Sequence, residues 1–277
     1  MEHLSSLATT VNWHWVWLVV AAFLAGVLNA VAGGGSFLLF PAMLSMGILP
    51  IPANATNAVA LWPGQLTSIA GYRKDVRKNL RVAWLMGFAG LIGGGFGAVV
   101  LLSTPQLTFL HMVPWLLLAA ALIFALSGPV MRWLASRNLS GLGSNIAEGT
   151  ELVTGARSPR LVLLWIATVV VSFYVGYFGA GAGFLLISAL SFFGYQDLHD
   201  INSLKVVTIT AANGVAVMIF ILEGQVEWRF CLLAMIVGAI GGYSSASMAR
   251  RVPQPVLRAL VVLIGLSMAA WFFWKNP

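Results

Sequence analysis

Two glycine-rich clusters, one in each half of the chain, combine residue types that suit the binding of an anion. Glycines can adopt positive φ and expose successive backbone N–H groups, and a helix that starts behind them adds the positive end of its dipole. Such an arrangement binds anions without any charged side chain. Close helix packing is the alternative interpretation, because small residues are common where membrane helices touch. The predicted backbone donors are Gly33, Gly34, Gly35, Ser36, Gly181 and Gly183.

Short polar side chains near each cluster can supply neutral donors and acceptors to the same ligand. Asn54, Thr56 and Asn57 fall within one helical turn, so a helix would present them together. The side chains that we expect to orient a ligand are Asn29, Asn54, Thr56, Asn57, Asn202 and Ser203. Hydrogen bonding between helices is the favoured interpretation for three other polar residues, which are Gln65, Thr67 and Thr210.

Lys205 is the basic residue with the clearest indication of a function. Of the fifteen Lys and Arg residues, it is the only one followed on its own segment by a long uncharged apolar run. Burying its charge in a bilayer costs on the order of 3 kcal/mol, which an anionic substrate would offset. The alternative is that its long stem carries the ammonium group to the membrane surface, since Lys205 lies near the start of its segment.

The residue types needed for catalysis or for metal binding are sparse. All eight acidic residues lie in loops or at the ends of apolar segments. The single cysteine, Cys231, excludes an internal disulfide and a cysteine-ligated metal. We therefore expect no enzyme activity, no cofactor and no metal site. The sequence leaves open one kind of ion binding, that of sodium by backbone carbonyls and by Asn or Thr oxygens.

The composition is typical of a membrane protein with several spans. The 277 residues are 60% hydrophobic and 8% charged, whereas roughly a quarter of the residues in a soluble domain are charged. The net charge of +7 comes from short basic clusters between apolar runs. Basic loops that stay in the cytoplasm produce this pattern, so we expect a lipid bilayer around the chain and no nucleic-acid partner.

Ten apolar segments, five in each half, predict an all-α fold. Most approach the roughly 20 residues that cross a bilayer, whereas the second segment of each half is shorter and suits a re-entrant arm. Glycines within the fourth segment of each half predict tight helix crossings. The segments cover 13–32, 35–49, 53–72, 80–103 and 107–131, then 160–179, 182–194, 201–222, 228–249 and 255–274.

The two halves repeat each other in register, which indicates an internal duplication. Residues 37–39 match residues 184–186, and Thr56 then falls opposite Ser203. Both glycine clusters interrupt apolar runs, and broken backbone within a bilayer must be buried in protein or line a cavity. Paired breaks of this kind are typical of the ligand site of a secondary transporter.

Basic clusters define the expected orientation and the division of the chain. Residues 73–81 and the polar linker should be cytoplasmic. With ten segments, the first half then starts outside and the second starts inside, so that the repeats are inverted. We predict a first transmembrane repeat at 1–137, a cytoplasmic linker at 138–158 and a second repeat at 159–277.

Each half of the chain contains short motifs in a fixed order. The first half has Asn-Ala-Val-Ala-Gly-Gly-Gly-Ser at 29–36 and Ala-Asn-Ala-Thr-Asn at 53–57. The second half has Gly-Tyr-Phe-Gly-Ala-Gly-Ala-Gly at 176–183 and Asn-Ser-Leu-Lys-Val-Val at 202–207. With these motifs the chain resembles the sulfite exporter TauE/SafE family over nearly its whole length. It departs from the family at two places. Lys often follows Thr-Asn in the family, whereas Ala58 follows Asn57 here. The family often has Ala-Thr-Ala-Lys where this chain has Ile-Asn-Ser-Leu-Lys at 201–205.

The resemblance implies a multi-pass carrier in the plasma membrane of a bacterium or archaeon. It implies small sulfur-containing anions as substrates, such as sulfite, sulfonates or sulfoacetate, with export or uptake depending on the member. Alternating access would move the anion between the two faces. An anion channel and a carrier for a small carboxylate are the alternatives. The sequence leaves the oligomeric state open, and a homodimer is one state that it allows.

Overall fold

The computed structural model describes residues 2–31, 34–136, 159–195, 197–248 and 254–275. Over these residues the chain forms α-helices joined by short connections, which confirms the all-α prediction. The predicted linker at 138–158 lies outside the described residues. The helices are α1 (Glu2–Val31), α2 (Ser36–Ser45), α3 (Pro50–Gly71), α4 (Arg73–Lys78), α5 (Leu80–Ser103), α6 (Gln106–Ser136), α7 (Pro159–Tyr177), α8 (Ala182–Phe192), α9 (Leu198–Leu222), α10 (Trp228–Met248) and α11 (Gln254–Lys275).

The helix path is interrupted at both glycine clusters, as the sequence predicts. In the first half α1 ends at Val31 and α2 begins at Ser36. In the second half α7 ends at Tyr177 and α8 begins at Ala182. The helices that follow the interruptions, α2 and α8, have only 10 and 11 residues. These are the two short arms, and we call the interruptions the first and the second break.

The helix limits differ from the apolar segments at a few places. A short helix, α4, lies within the basic cluster, and no apolar pattern could have predicted it because none of its residues is buried. Helix α1 begins at Glu2 and α6 continues to Ser136, so both extend beyond their apolar runs. Hydrogen bonding along a helix continues into polar sequence, whereas a hydropathy pattern does not.

Glycine-lined helix crossings interlock the two halves. Helix α1 packs on α10 of the second half, and α7 packs on α5 of the first half. A Cβ atom on Gly26 would collide with the backbone of Gly238, and one on Gly176 would collide with the backbone of Gly94. Only glycine allows the two backbones to approach this closely. The predicted helix crossings are therefore confirmed.

The corresponding helices α3 and α9 contact each other and run in opposite directions. Near the start of α3, the hydroxyl of Thr56 accepts a hydrogen bond of 3.0 Å from the Glu227 N–H, which lies beyond the end of α9. Beyond the end of α3, Lys78 Nζ lies 3.2 Å from a carboxylate oxygen of Asp200, near the start of α9. Each helix thus starts on the face where the other ends. We call these faces the Thr56 face and the Lys78 face.

The Lys78 face carries the basic cluster and the first turn of α9. The Asn79 amide also donates to Asp200 Oδ1, at 2.7 Å. The hydrogen bond from Lys78 to the Asp200 carboxylate, and the attraction between their charges, raise the pKa of Lys78 above its usual value of 10.5. The acidic connection before α9 therefore lies on the same face as the basic cluster, as the predicted orientation requires.

A cluster of aromatic rings surrounds the first arm. The ring centroid of Phe40 in α2 lies 5.5 Å from that of Phe178 in the second break. It lies 6.3 Å from those of Phe109 in α6 and Phe272 in α11. Helices of both halves therefore enclose the first arm, which explains why nearly all of its residues are apolar.

The outer surface of the helices is rich in exposed large apolar side chains. Within the described residues, the stretches Leu80–Ser103 and His199–Leu222 are long and apolar enough to cross a bilayer, and seven further apolar helical stretches have 10–17 residues each. An apolar exterior around a helical core is the arrangement expected of a polytopic membrane protein.

Candidate functional site

Gly35 in the first break does not adopt the left-handed conformation. Gly35, which precedes α2, has φ −57° and ψ −34°, so the expectation of positive φ is wrong there. A Cβ atom on Gly35 would lie 2.5 Å from the Ala25 carbonyl oxygen and 3.1 Å from Cβ of Asn29. This glycine is needed for close packing of the arm against α1. Gly34 is buried beside it, and Gly33 lies outside the described residues.

The second break does use the left-handed conformation. Gly179 has φ 76° and Gly181 has φ 72°, which few other residues adopt without strain. The hydroxyl of Tyr174 donates to the Ala180 carbonyl at 2.7 Å and holds the connection in place. A Cβ atom on Gly181 would lie 3.3 Å from the ring of Phe37 in the first turn of α2. The second break therefore contacts the first turn of the first arm inside the protein.

Asn54 and Asn57 lie between the two breaks, and each is 2% exposed. Asn54 donates its amide hydrogen to the Tyr177 carbonyl at the end of α7, over 3.2 Å. Asn57 donates to the hydroxyl of Ser36 at the start of α2, over 3.1 Å. The side-chain oxygen of each asparagine is buried without a hydrogen-bond partner. One hydrogen of each amide is thus used within the protein, and the side-chain oxygens are free.

Two other predicted ligand residues form hydrogen bonds within the protein. The Thr56 hydroxyl accepts from the Glu227 N–H, as described above. The Ser203 hydroxyl is fully buried and donates to the Asp200 carbonyl at 2.8 Å. Their contact with a ligand stays a prediction, and so does that of Asn29, Ser36 and Asn202.

Lys205 lies in the second turn of α9, and its side chain packs against the second arm. A Cβ atom on Gly183, in the first turn of α8, would lie 3.7 Å from Cδ of the lysine. The ammonium group donates to the side-chain oxygen of Asn202 at 2.8 Å, one turn nearer the Lys78 face. Among the described residues it has no acidic partner within ion-pair distance. The half-buried cation and the positive end of α8 therefore make this region electropositive.

Polar side chains also join α3 to α9. The Trp62 indole donates to the Thr210 carbonyl at 3.2 Å, and the Asn213 amide donates to Gln65 Oε1 at 2.9 Å. The Thr210 hydroxyl also donates to the Gln65 carbonyl at 3.4 Å, so the interhelical interpretation is confirmed for Gln65 and Thr210. It is wrong for Thr67, whose exposed hydroxyl donates to Gly64 in its own helix. Sequence reasoning missed Trp62, because an aromatic residue in an apolar run gives no separate signal.

Two recesses open on the surface. One, of about 520 Å³, lies near the basic cluster and is lined by Arg73, Lys74 and His199 among others. The other, of about 540 Å³, is mainly apolar and reaches the last turn of α7 at Tyr174 and Tyr177. Neither is lined by the predicted ligand residues. Tyr177, which lines the second recess, is also the residue whose carbonyl accepts the hydrogen bond from Asn54. Within the described residues, no group of three acidic, histidine or cysteine side chains could hold a metal ion.

Comparison with known proteins gives one consistent result. A model of the family described as sulfite exporter TauE/SafE matches residues 18–272. A probable membrane transporter protein of Haemophilus influenzae is 25% identical over 257 residues, which cover 91% of this chain and 92% of the relative. The probable membrane transporter protein ORF9 of Sinorhizobium sp is 26% identical, with 91% and 89% covered.

A third relative agrees with these two. The probable membrane transporter protein YfcA of Escherichia coli is 23% identical over 260 residues, with 94% of this chain and 89% of the relative covered. No solved structure matches the chain. The likeness to the relatives includes both breaks and both arms, because it extends over nearly the whole length.

Proposed function

Because the chain belongs to the sulfite exporter TauE/SafE family, whose relatives are named probable membrane transporters, we propose that it is a secondary transporter for a small sulfur-containing anion. Sulfite, a sulfonate or sulfoacetate is the proposed substrate class. The observation that carries the proposal is the second break, which brings the start of α8 against Lys205. This family is one of membrane transporters and not of enzymes.

The anion subsite lies between the first turn of α8 and Lys205. The dipole of a helix favours negative charge at its start. In the first turn of α8 the N–H groups of Ala182 and Phe184 already donate to the Gly179 and Gly181 carbonyls. Gly183 leaves space for the lysine stem, which lies against the first turn of α8. Backbone donors and one compact cation suit a small oxyanion, whose oxygens accept several hydrogen bonds. Asn202 and Ser203 complete this subsite in the proposal.

The proposed inverted repeats would allow transport by alternating access. The corresponding helices α3 and α9 run in opposite directions, and the corresponding crossings α1 with α10 and α7 with α5 are formed reciprocally. Two similar units of opposite direction can exchange conformations, which opens a central site first to one face and then to the other. In this proposal the protein crosses the plasma membrane several times with the Lys78 face in the cytoplasm.

Transport by purified protein in liposomes tests the function. Labelled sulfite, taurine and sulfoacetate are offered outside, with acetate and succinate as carboxylate controls. We expect saturable uptake of a sulfur-containing anion, at turnover rates far below ionic conduction. Large single-channel currents would instead identify a channel, and preference for a carboxylate would overturn the substrate class. A thermal-shift screen in choline buffer measures anion binding alone, because a ligand of the native state raises the melting temperature.

A further inference from the structure

We propose that Asn54 and Asn57 bind a sodium ion next to the end of α7, so that anion transport is coupled to sodium. This inference rests on the proposed function, because coupling needs a transported substrate. The binding of the cation itself does not depend on the substrate and can be measured without it.

The unpaired oxygens are the first observation. Asn54 and Asn57 are each 2% exposed, and Oδ1 of each has no hydrogen-bond partner. A buried polar atom without a partner is costly, so a native protein usually provides one. The two residues are three positions apart on α3, which places their side chains on the same side of the helix. Two neighbouring oxygens therefore lack a positively charged or hydrogen-donating partner.

The orientation of Asn54 is determined by its neighbour. The Tyr177 carbonyl can only accept, so the nitrogen of Asn54 faces it at 3.2 Å and the oxygen is the free atom. The nitrogen of Asn57 faces the Ser36 hydroxyl at 3.1 Å. Both side chains thus offer acceptors to any ligand. Acceptors bind cations, and they do not bind an oxyanion.

The surrounding backbone favours a cation as well. Tyr177 is the last residue of α7, and the carbonyl groups at the end of a helix carry partial negative charge. Each carbonyl oxygen has two lone pairs, so the one that binds Asn54 can also coordinate an ion. The Ser36 hydroxyl adds a fourth oxygen close to the asparagines. The proposed ligands are therefore four neutral oxygens from α2, α3 and the end of α7.

Neutral ligands select the type of ion. Calcium and magnesium sites are usually built with carboxylates, and the described acidic residues nearest in space, such as Glu227, are exposed. Sodium is bound by unwound backbone carbonyls and helix C-terminal ends in transporters with broken helices. A monovalent ion also costs less to bury than a divalent one, because the desolvation penalty rises steeply with charge. Sodium is therefore the ion that this oxygen set fits.

The second break places this site close to the anion subsite. Only residues 178–181 separate the end of α7 from the start of α8. The cation then lies at the negative end of α7, and the anion lies at the positive end of α8. A movement that opens the break changes both sites together. That shared element gives a physical basis for coupling the two ions.

Sodium binding is tested on full-length purified protein without any substrate anion. Melting temperatures are compared in sodium, potassium, ammonium and choline chloride at equal ionic strength. Saturating sodium should raise the melting temperature of the native sequence by about 3 °C or more relative to choline. Asn57→Ala should lose this rise, whereas Asn57→Asp should keep it because an oxygen ligand remains. Asn213→Ala is the matched control, since Asn213 is buried in α9 and its amide is paired with Gln65.

Binding of radioactive sodium to the same variants gives a second measurement, which does not depend on how stable each variant is. The inference is overturned if the native protein responds equally to sodium and choline, if ammonium alone stabilises it, or if Asn57→Ala binds sodium normally. The result for anion transport is separate. A protein that moves the anion in choline buffer as fast as in sodium would keep its proposed function and lose the proposed coupling.

Discussion

The side-chain amide of Asn54 in α3 donates a hydrogen bond of 3.2 Å to the backbone carbonyl of Tyr177, the last residue of α7. The two residues are 123 positions apart in the chain. The bond joins the first half of the protein to the start of the second break and uses one of the two amide hydrogens of Asn54.

Replacing Asn54 by alanine should destabilise the protein. The change removes the bond and leaves the buried Tyr177 carbonyl unpaired, which costs about 1–3 kcal/mol. Melting temperatures in choline buffer measure this loss without any contribution from sodium. Thr67→Ala is the control, since its exposed hydroxyl binds only its own helix. Equal melting temperatures for Asn54→Ala and the native protein would show that the bond does not stabilise the fold.

Two adjacent glycines in α5 should respond very differently to alanine. A Cβ atom on Gly94 would collide with the backbone of Ala212, whereas one on Gly95 would lie 3.5 Å from a side-chain methyl group of Val215. Gly94→Ala should therefore destabilise the protein by about 1–3 kcal/mol, because backbone cannot move aside as a side chain can. Gly95→Ala should leave stability unchanged or slightly improved. The melting temperatures of the two variants check this, and similar values would contradict the tight crossing.

Gly181→Ala should impair folding more than a comparable change in a loop. Gly181 has φ 72° and Gly224 has φ 65°, so alanine at either position bears a similar backbone strain of about 1–2 kcal/mol. Only at Gly181 would the new methyl group also contact Phe37 and Ala120, and at Gly224 nothing lies within 4 Å. The difference between the two melting temperatures isolates the packing of the breaks. No difference would mean that the breaks are not closely packed.

Lys205→Ala should weaken anion binding at least tenfold, whereas Lys205→Arg should keep part of it, because the charge remains and the geometry changes. The thermal-shift titration in choline buffer measures both affinities. Lys78→Ala is the control, since that lysine is exposed on the Lys78 face and paired with Asp200. Unchanged affinity in Lys205→Ala would remove this residue from the substrate site.

The Lys78–Asp200 contact should contribute stability only while the lysine is charged. The pKa of Lys78 is raised in the folded protein by its hydrogen bond with Asp200, so the contribution is complete below the unfolded value of 10.5 and is lost as the pH rises through the folded value. Asp200→Ala should lower the melting temperature more than Lys78→Ala, because Asn79 also loses its partner. The difference between Lys78→Ala and the native protein should shrink in high salt, which screens an exposed ion pair. A difference that persists in high salt would contradict an electrostatic origin.

Much of the architecture could be predicted from the sequence. The two breaks were visible because glycine clusters interrupt apolar runs at corresponding positions. The helix crossings at Gly94 and Gly238 were visible because small residues recur at helical spacing. Both signals are local in the chain, and both reflect a strong physical constraint on backbone in a bilayer.

The detailed contacts of the candidate site could not be predicted in the same way. The bonds from Asn54 to Tyr177 and from Asn57 to Ser36 join distant parts of the chain, and no local pattern encodes them. The two breaks also differ in backbone conformation, since Gly35 has an ordinary helical φ and Gly181 has φ 72°. A glycine permits positive φ without requiring it, so packing against α1 determined the outcome at Gly35.

The reciprocal crossings have a consequence for biosynthesis. A ribosome releases α1 long before α10 has been made, so the glycine-lined side of α1 must wait in lipid or beside the insertion machinery until its partner arrives. The same delay is far shorter for α5 and α7, which are close in the chain. Assembly of this protein therefore finishes only near the end of translation. In a nascent chain that stops before α10, the glycine-lined side of α1 has no helix to pack against.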